Sequence, residues 1–187
     1  TRNILSFQDW EAKLNLKRSL EADFFREWQE DLAPLNGTET ETIDRLGNRY
    51  LRYLEMGEIS EGTVNIILLH PLLEALGLCD PPYRIRGETW VEVETQIETP
   101  EGKIVLEGRI DALTLLQNFW LVVIEGKRGG FNVFQGIPQT LAYMMANPEA
   151  HKPFFGLVTN GYDYVFVKLA KAPQNDRFEF GLSQNFT

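Results

Sequence analysis

The residue types that could do chemistry gather between positions 108 and 128. The apolar run Val122-Val123-Ile124 ends in Glu125-Gly126-Lys127-Arg128. Read as a strand, it alternates faces, so Glu125 and Lys127 share one. A carboxylate and an amine at the end of a core strand are costly to desolvate unless they are paired or used. Fourteen residues upstream, Asp111 stands in Gly108-Arg109-Ile110-Asp111-Ala112, again at the hydrophobic end of a strand-like segment. Asp111 and Glu125 would give a divalent cation two hard oxygen ligands, and the Gly126 carbonyl a third. Magnesium prefers such ligands, and manganese should substitute. A cation so held lowers the pKa of its water and stabilises charge on a phosphoryl group. Lys127 would stand beside that water, orienting the nucleophile or stabilising developing charge. The chemistry implied is phosphodiester hydrolysis. The bland alternative is a strand-end ion pair between Glu125 and Lys127, but such pairs contribute little at a surface.

These residues need strands to position them, and the pattern supplies three. Val91, Val93, Thr95 and Ile97 alternate with Glu92, Glu94, Gln96 and Glu98, which predicts a strand over Trp90 to Glu98 with one wet face. Pro100-Glu101-Gly102 turns it into Lys103 to Leu115, and Gln117-Asn118 turns that into Phe119 to Lys127. Short loops between consecutive strands make an antiparallel meander. After Gly129-Gly130 a helix is expected from about Val133 to Asn147, with Gln139 and Tyr143 four apart on one face. Phe154 to Thr159 and Tyr162 to Leu169 then flank Asn160-Gly161, a hairpin signal.

Upstream, residues 1 to 60 read as helical. Ser6 and Asp9 resemble a capping box, and Leu16, Leu20, Phe24 and Trp28 recur every four residues before Pro34 and Gly37. A second helix is expected from about Thr40 to Gly57, with Ile43, Leu46, Tyr50 and Leu54 on one face. Ser60 should cap a third, which carries Val64, Ile67, Leu68, Leu72 and Leu76 inward, is kinked or broken at Pro71, and stops at Gly77. The tail from Lys171 has weak strand character and no evident packed terminal element, as in a chain cut short. The expected organisation is a single α/β domain, with a helical extension over 1–59, a core over 60–170 and a tail over 171–187.

Composition bounds the rest. A chain of 187 residues, 43% hydrophobic and 24% charged, is long enough for one real core. No apolar run approaches the length of a membrane span, no basic-then-apolar leader opens the chain, and Cys79 is the single cysteine. These features suit a reduced, cytoplasmic setting without a membrane partner. The net charge of −9 runs against simple electrostatic nucleic-acid binding. Yet Arg84, Arg86, Arg109, Lys127 and Arg128 lie near the proposed site. His70 and His151 lack the spacing of metal partners and read as structural or exposed, and Cys79 as a buried or half-buried small residue.

Asp111, thirteen intervening residues and then Glu125-Gly126-Lys127 resemble the signature of the PD-(D/E)xK nuclease superfamily, the restriction-endonuclease-like fold. The order of helix, three-strand meander, helix and strand resembles its core over about residues 60 to 169. Gln139 to Tyr143 is similar to the Gln-x-x-x-Tyr motif of the RecB-like branch. Ser60-Glu61 with Pro71-Leu72-Leu73-Glu74-Ala75-Leu76-Gly77 is similar to the first helix of the nuclease domain of type I restriction-enzyme R subunits. The N-terminal third resembles that of cyanobacterial R-subunit-like proteins.

The resemblance implies Asp111 and Glu125 as metal ligands and Lys127 as the catalytic lysine. Glu61 would complete the metal or water network, with Glu74 its rival. Gln139 and Tyr143 would be active-site or DNA-end contacts, Tyr143 on the nucleic acid. Position alone, not the resemblance, makes Arg109 and Arg128 candidate nucleic-acid contacts, with a solvated base the alternative for Arg128. DNA is the implied substrate, with a homodimer or a restriction or repair complex containing a motor subunit as the implied assembly. Two departures stand out: Ile110 replaces the usual proline, and Gly126 loosens the strand between the acid and the lysine. The rival function is a module of the same fold that binds nucleic acid or protein without cutting, which the acidic charge favours.

Overall fold

The computed structural model describes residues 15–29, 32–99, 102–116, 119–126, 128–146, 152–172 and 177–187; over 88–126 only the backbone is described. Ser6, Asp9 and Lys127 lie outside the described residues. The described strands form one mixed sheet, covered by helices on both faces. They are β1 (Leu16–Arg18), β2 (Tyr83–Thr99), β3 (Gly102–Leu116), β4 (Phe119–Gly126), β5 (Phe154–Thr159), β6 (Tyr164–Lys171) and β7 (Phe178–Leu182). Across the sheet they run β1-β7-β6-β5-β4-β3-β2. β2, β3 and β4 form the expected antiparallel meander; β5 then returns parallel to β4, and β6 and β7 follow antiparallel.

Two helical layers clamp this sheet. On one side lies α4 (Ile137–Met145), entered through a 3-10 turn at Val133–Gln135. Ile137, Leu141, Tyr143 and Met144 pack there on Phe154, Val158, Val165, Val167, Leu169 and Phe180. On the other side lie α1 (Gly37–Glu55), α2 (Glu61–Val64) and α3 (His70–Ala75), and Leu69 and Leu73 pack on Leu157. The alternation of β5 sorts the two cores: Phe154 and Val158 belong to the α4 side and Leu157 to the other. No helix among the described residues is long and apolar enough to cross a membrane.

Local signals set most boundaries. Asn36 and Glu39 cap α1 reciprocally, so Gly37 opens that helix rather than closing the segment before it. Ser60 Oγ accepts from the Thr63 amide, as the sequence predicts. Gly77, at φ +69, ends α3 where a left-handed residue is needed, and the amide of Leu78 reaches back to the Leu73 carbonyl.

Pro71 does not break its helix. A π-helical turn over Asn65–Leu69 precedes it, and the helical path runs on into α3. A proline deprives the carbonyl four residues earlier of its donor. That carbonyl belongs to Ile67, and Arg49 from α1 donates to it at 3.0 Å. A charged donor from a neighbouring helix thus replaces the missing amide.

The N-terminal third departs from expectation. Leu16–Arg18 is a strand, parallel to β7, and the stretch from Ser19 to Gln29 is turns. Asn15 adopts φ +50, which no helix interior allows. Leu16 is fully buried while Leu20 is 91% exposed, so the four-residue spacing marks no common face. Pairing with β7 and packing on the sheet outweigh helical periodicity here. Phe25 sits with its ring centroid 6.0 Å from that of Phe155, and a Cβ at Gly181 would stand 2.9 Å from the Phe24 ring. Of the apolar positions on α1, Leu46 and Tyr50 are buried, whereas Ile43 and Leu54 remain about half exposed. The tail departs too: Phe178–Leu182 lies between β6 and β1, and Phe186 bridges to Tyr164. Cys79 is exposed rather than buried.

Candidate active site

The meander's register brings the sequence-marked acids to one place. β3 pairs with β4 from Leu116↔Phe119 as far as Ala112↔Ile124. One step further stand Asp111 and Glu125, at the first position beyond the paired stretch. β3 continues with β2 alone, from Thr89↔Ile110 out to Thr99↔Gly102. Asp111 and Glu125 therefore occupy the fork where a two-stranded arm leaves the body of the sheet. Glu125 is opposite Val158 of β5, and Gly126, the last residue of β4, is opposite Thr159.

Register also identifies the face. Residues opposite one another in a sheet share a face. Val158 is fully buried in the core against α4. Asp111 and Glu125 therefore belong to the α4 face. That is the layer carrying Gln139, which is partly buried and donates from Nε2 to the Tyr143 hydroxyl at 2.6 Å. The spacing of four that paired these residues in the sequence gives a direct bond in the helix.

Tyr143, expected as a nucleic-acid contact, is 3% exposed and packed among the core residues of α4, where its hydroxyl accepts the Gln139 bond. Pro138 at the start of α4 fixes the helix where no amide is needed, and the Thr140 hydroxyl donates to the Gly136 carbonyl at 3.1 Å.

Glu61 opens α2, next to the Ser60 cap. The Gly129 amide donates to the Ile59 carbonyl at 2.9 Å, which ties the start of α2 to the segment leaving β4. Glu61 is exposed and thus stands near the carboxyl end of β4, in a helical layer different from that of Gln139. Glu74, its rival, lies on α3 more than two turns further along the same helical path. Arg128 is exposed immediately beyond the strand end. Arg109 is opposite Trp90 on the arm, two residues from Asp111 and so on the same face.

One acid in this row carries no signal in the spacing of the sequence motif. Gly87 is opposite Ala112 and Thr89 opposite Ile110, so Glu88 is across from Asp111. The row Glu88, Asp111, Glu125 crosses three strands. Only the pairing of β2 with β3 reveals it, because Glu88 lies 23 positions before Asp111 with a turn between. Like charges directly opposite destabilise a strand pair. An all-oxygen row of this kind suits a hard divalent cation, which would neutralise it. Among residues with described side chains, no group of three His, Cys, Asp or Glu gathers to hold a metal.

No family model and no curated protein matches this chain. Its structure is similar to a fragment of an R subunit (HsdR) of a type I restriction enzyme from Vibrio vulnificus, with a TM-score of 0.46 and 20% identity. The match covers 69% of this chain and 24% of that one, so this chain spans under a quarter of its neighbour's length.

Proposed function

We propose that this chain is a metal-dependent nuclease, hydrolysing DNA phosphodiesters with a restriction-endonuclease-like core. The observation that carries the reading is the register that sets Asp111 across from Glu125 where β3 parts from β4. The meander followed by α4 and a strand parallel to β4 supports it. Asp111 and Glu125, with the Gly126 carbonyl, are the oxygens that would hold magnesium or manganese. When bound, such an ion supplies an acidified water and positive charge against the phosphoryl oxygens. Lys127, two residues after Glu125 in the sequence, would orient the attacking water and stabilise charge on the reacting phosphate. Glu61 adds a carboxylate from the helix start, and Gln139, held by Tyr143, adds an amide from the opposite layer. Arg128 and Arg109 contact the phosphates on either side.

Cleavage of linear and circular DNA in magnesium or manganese tests this. Lys127→Ala should lower the rate by at least about a hundredfold with unchanged thermal unfolding. Unimpaired cleavage by that variant sinks the mechanism. The net charge of −9 favours a second reading, a module of this fold that binds DNA or a protein without cutting. Manganese titration separates the two, since a pure binding module has no use for a cation at Asp111 and Glu125. A homodimer, or a restriction or repair complex with a motor subunit, would supply a second cutting site or translocation.

A further inference from the structure

A cavity of about 480 Å³ opens at the carboxyl ends of β4 and β5, the same end at which Glu125 stands. Its walls come from the loop after β4, the turn after β5, Tyr50 and Leu54 of α1, and Asn185 of the tail. Phe134 and Tyr162 line it, and both are substantially exposed, at 39% and 55%. Exposed rings are ordinary singly, but two at one cavity suggest a surface built for contact.

The backbones that carry both rings sit on hydrogen-bonded turns. Asn132 Oδ1 accepts from the Phe134 amide at 3.0 Å, and Asn160 Oδ1 accepts from the Tyr162 amide at 2.9 Å. The two turns are locked together, because Asn160 Nδ2 donates to the Phe131 carbonyl at 2.7 Å. A backbone ordered before a ligand arrives loses little freedom on binding.

The polar lining narrows the ligand. Asp163 accepts from Asn185 Nδ2 at 2.7 Å and from Asn160 Nδ2 at 3.1 Å. A carboxylate has about four acceptor positions, so Asp163 retains acceptor capacity for a further N–H donor. A phosphate would be repelled there, whereas a flat heterocycle with an exocyclic amine meets two aromatic side chains and an acceptor. Arg128, exposed two residues before the lining residue Gly130, offers positive charge outside the cavity for the attached phosphate.

We infer that this cavity takes one unpaired nucleobase of the strand whose phosphate is presented to Asp111 and Glu125, an inference that rests on the nuclease reading above. Base–aromatic stacking tolerates any base, so the cavity selects unpaired strands or frayed ends rather than a sequence.

The probe is a short single-stranded DNA carrying the fluorescent base 2-aminopurine, with calcium as the cation. Binding should quench the fluorescence. Tyr162→Ala and Phe134→Ala should each weaken binding about tenfold, while Tyr162→Phe restores it. Manganese affinity should stay constant throughout. Unchanged affinity in both alanine variants overturns the inference. So does equal affinity for the same strand with an abasic position in place of the probe base, the result expected if the cavity holds a peptide side chain instead. Cleavage by the unaltered protein is scored separately. Lost base binding with cleavage intact overturns the cavity's role alone. Base binding without cleavage in any divalent cation overturns the nuclease reading and leaves the cavity standing.

Discussion

One transverse row on the α4 face changes character halfway across the sheet. On β6 and β5 it is Val165 and Val158, both fully buried. On β4, β3 and β2 it continues as Glu125, Asp111 and Glu88. The two halves share a sheet, a face and a covering helix but no strand, and one is aliphatic and the other acidic. The aliphatic half holds α4 to the sheet; the acidic half begins where the β3–β4 pairing stops. The contrast sets a buried aliphatic pair and a row of candidate metal-binding acids on neighbouring strands of one sheet face.

The comparison breaks most visibly if an acid is moved into the aliphatic half. Val158→Asp would bury an unpaired carboxylate under α4 and should cost roughly 3–5 kcal/mol, read as a fall in the urea midpoint. If the protein tolerates it, the two halves are not distinct. Moving the other way, Asp111→Asn should reduce cleavage by at least about a hundredfold. In the metal-free protein it should leave stability equal or higher by a few tenths of a kcal/mol, because it relieves a like-charge pair. A marked loss of metal-free stability would make Asp111 a structural residue.

The smallest effect concerns pH. Burial, opposed by a hydrogen bond with Thr159 and reinforced by Tyr50, pushes Tyr164 up to about 12. Its folded value is thus raised above the ordinary tyrosine value of 10.0. The stability held by the neutral phenol is complete below that ordinary value and is lost as pH rises through the folded value. Tyr164→Phe should therefore flatten the decline of stability between about pH 10 and 12, measured by urea unfolding across that window. A decline of unchanged slope would place the alkaline-sensitive group elsewhere.

What could be read from the chain is what local chemistry determines. The Ser60 cap, the Gly77 stop, the three strands of the meander and the Asn160-Gly161 turn each rest on neighbours within a few residues. Gly161, at φ +91, also lets the Tyr50 ring pass so closely that a Cβ there would stand 2.3 Å from it. The failures share one cause. β1 is a strand because it pairs with β7 across more than 150 positions, and no local pattern carries that information. Leu16, Leu20, Phe24 and Trp28 imitate a helical stripe because four apolar residues recurred, although each meets a different environment. The acids follow the same rule. Asp111 and Glu125 were legible as a spaced motif, whereas Glu88 joins them only through strand register. Tyr143 was legible as the partner of Gln139, but its burial depended on which face of α4 meets the sheet.

The sheet's order has a consequence for how molecules of this chain avoid one another. Every open sheet offers a row of unpaired amides and carbonyls at each border, a template for a stranger's strand. Among the described strands, the two borders use opposite defences. The β1 border is only three residues long, with the exposed Lys17 at its middle. The β2 border is 17 residues long and relies on charge instead, with Arg84, Arg86, Glu88, Glu92, Glu94 and Glu98 spread along it. Substitutions that neutralise this border to probe chemistry would also strip a guard against self-association, so solubility belongs beside activity in any such series.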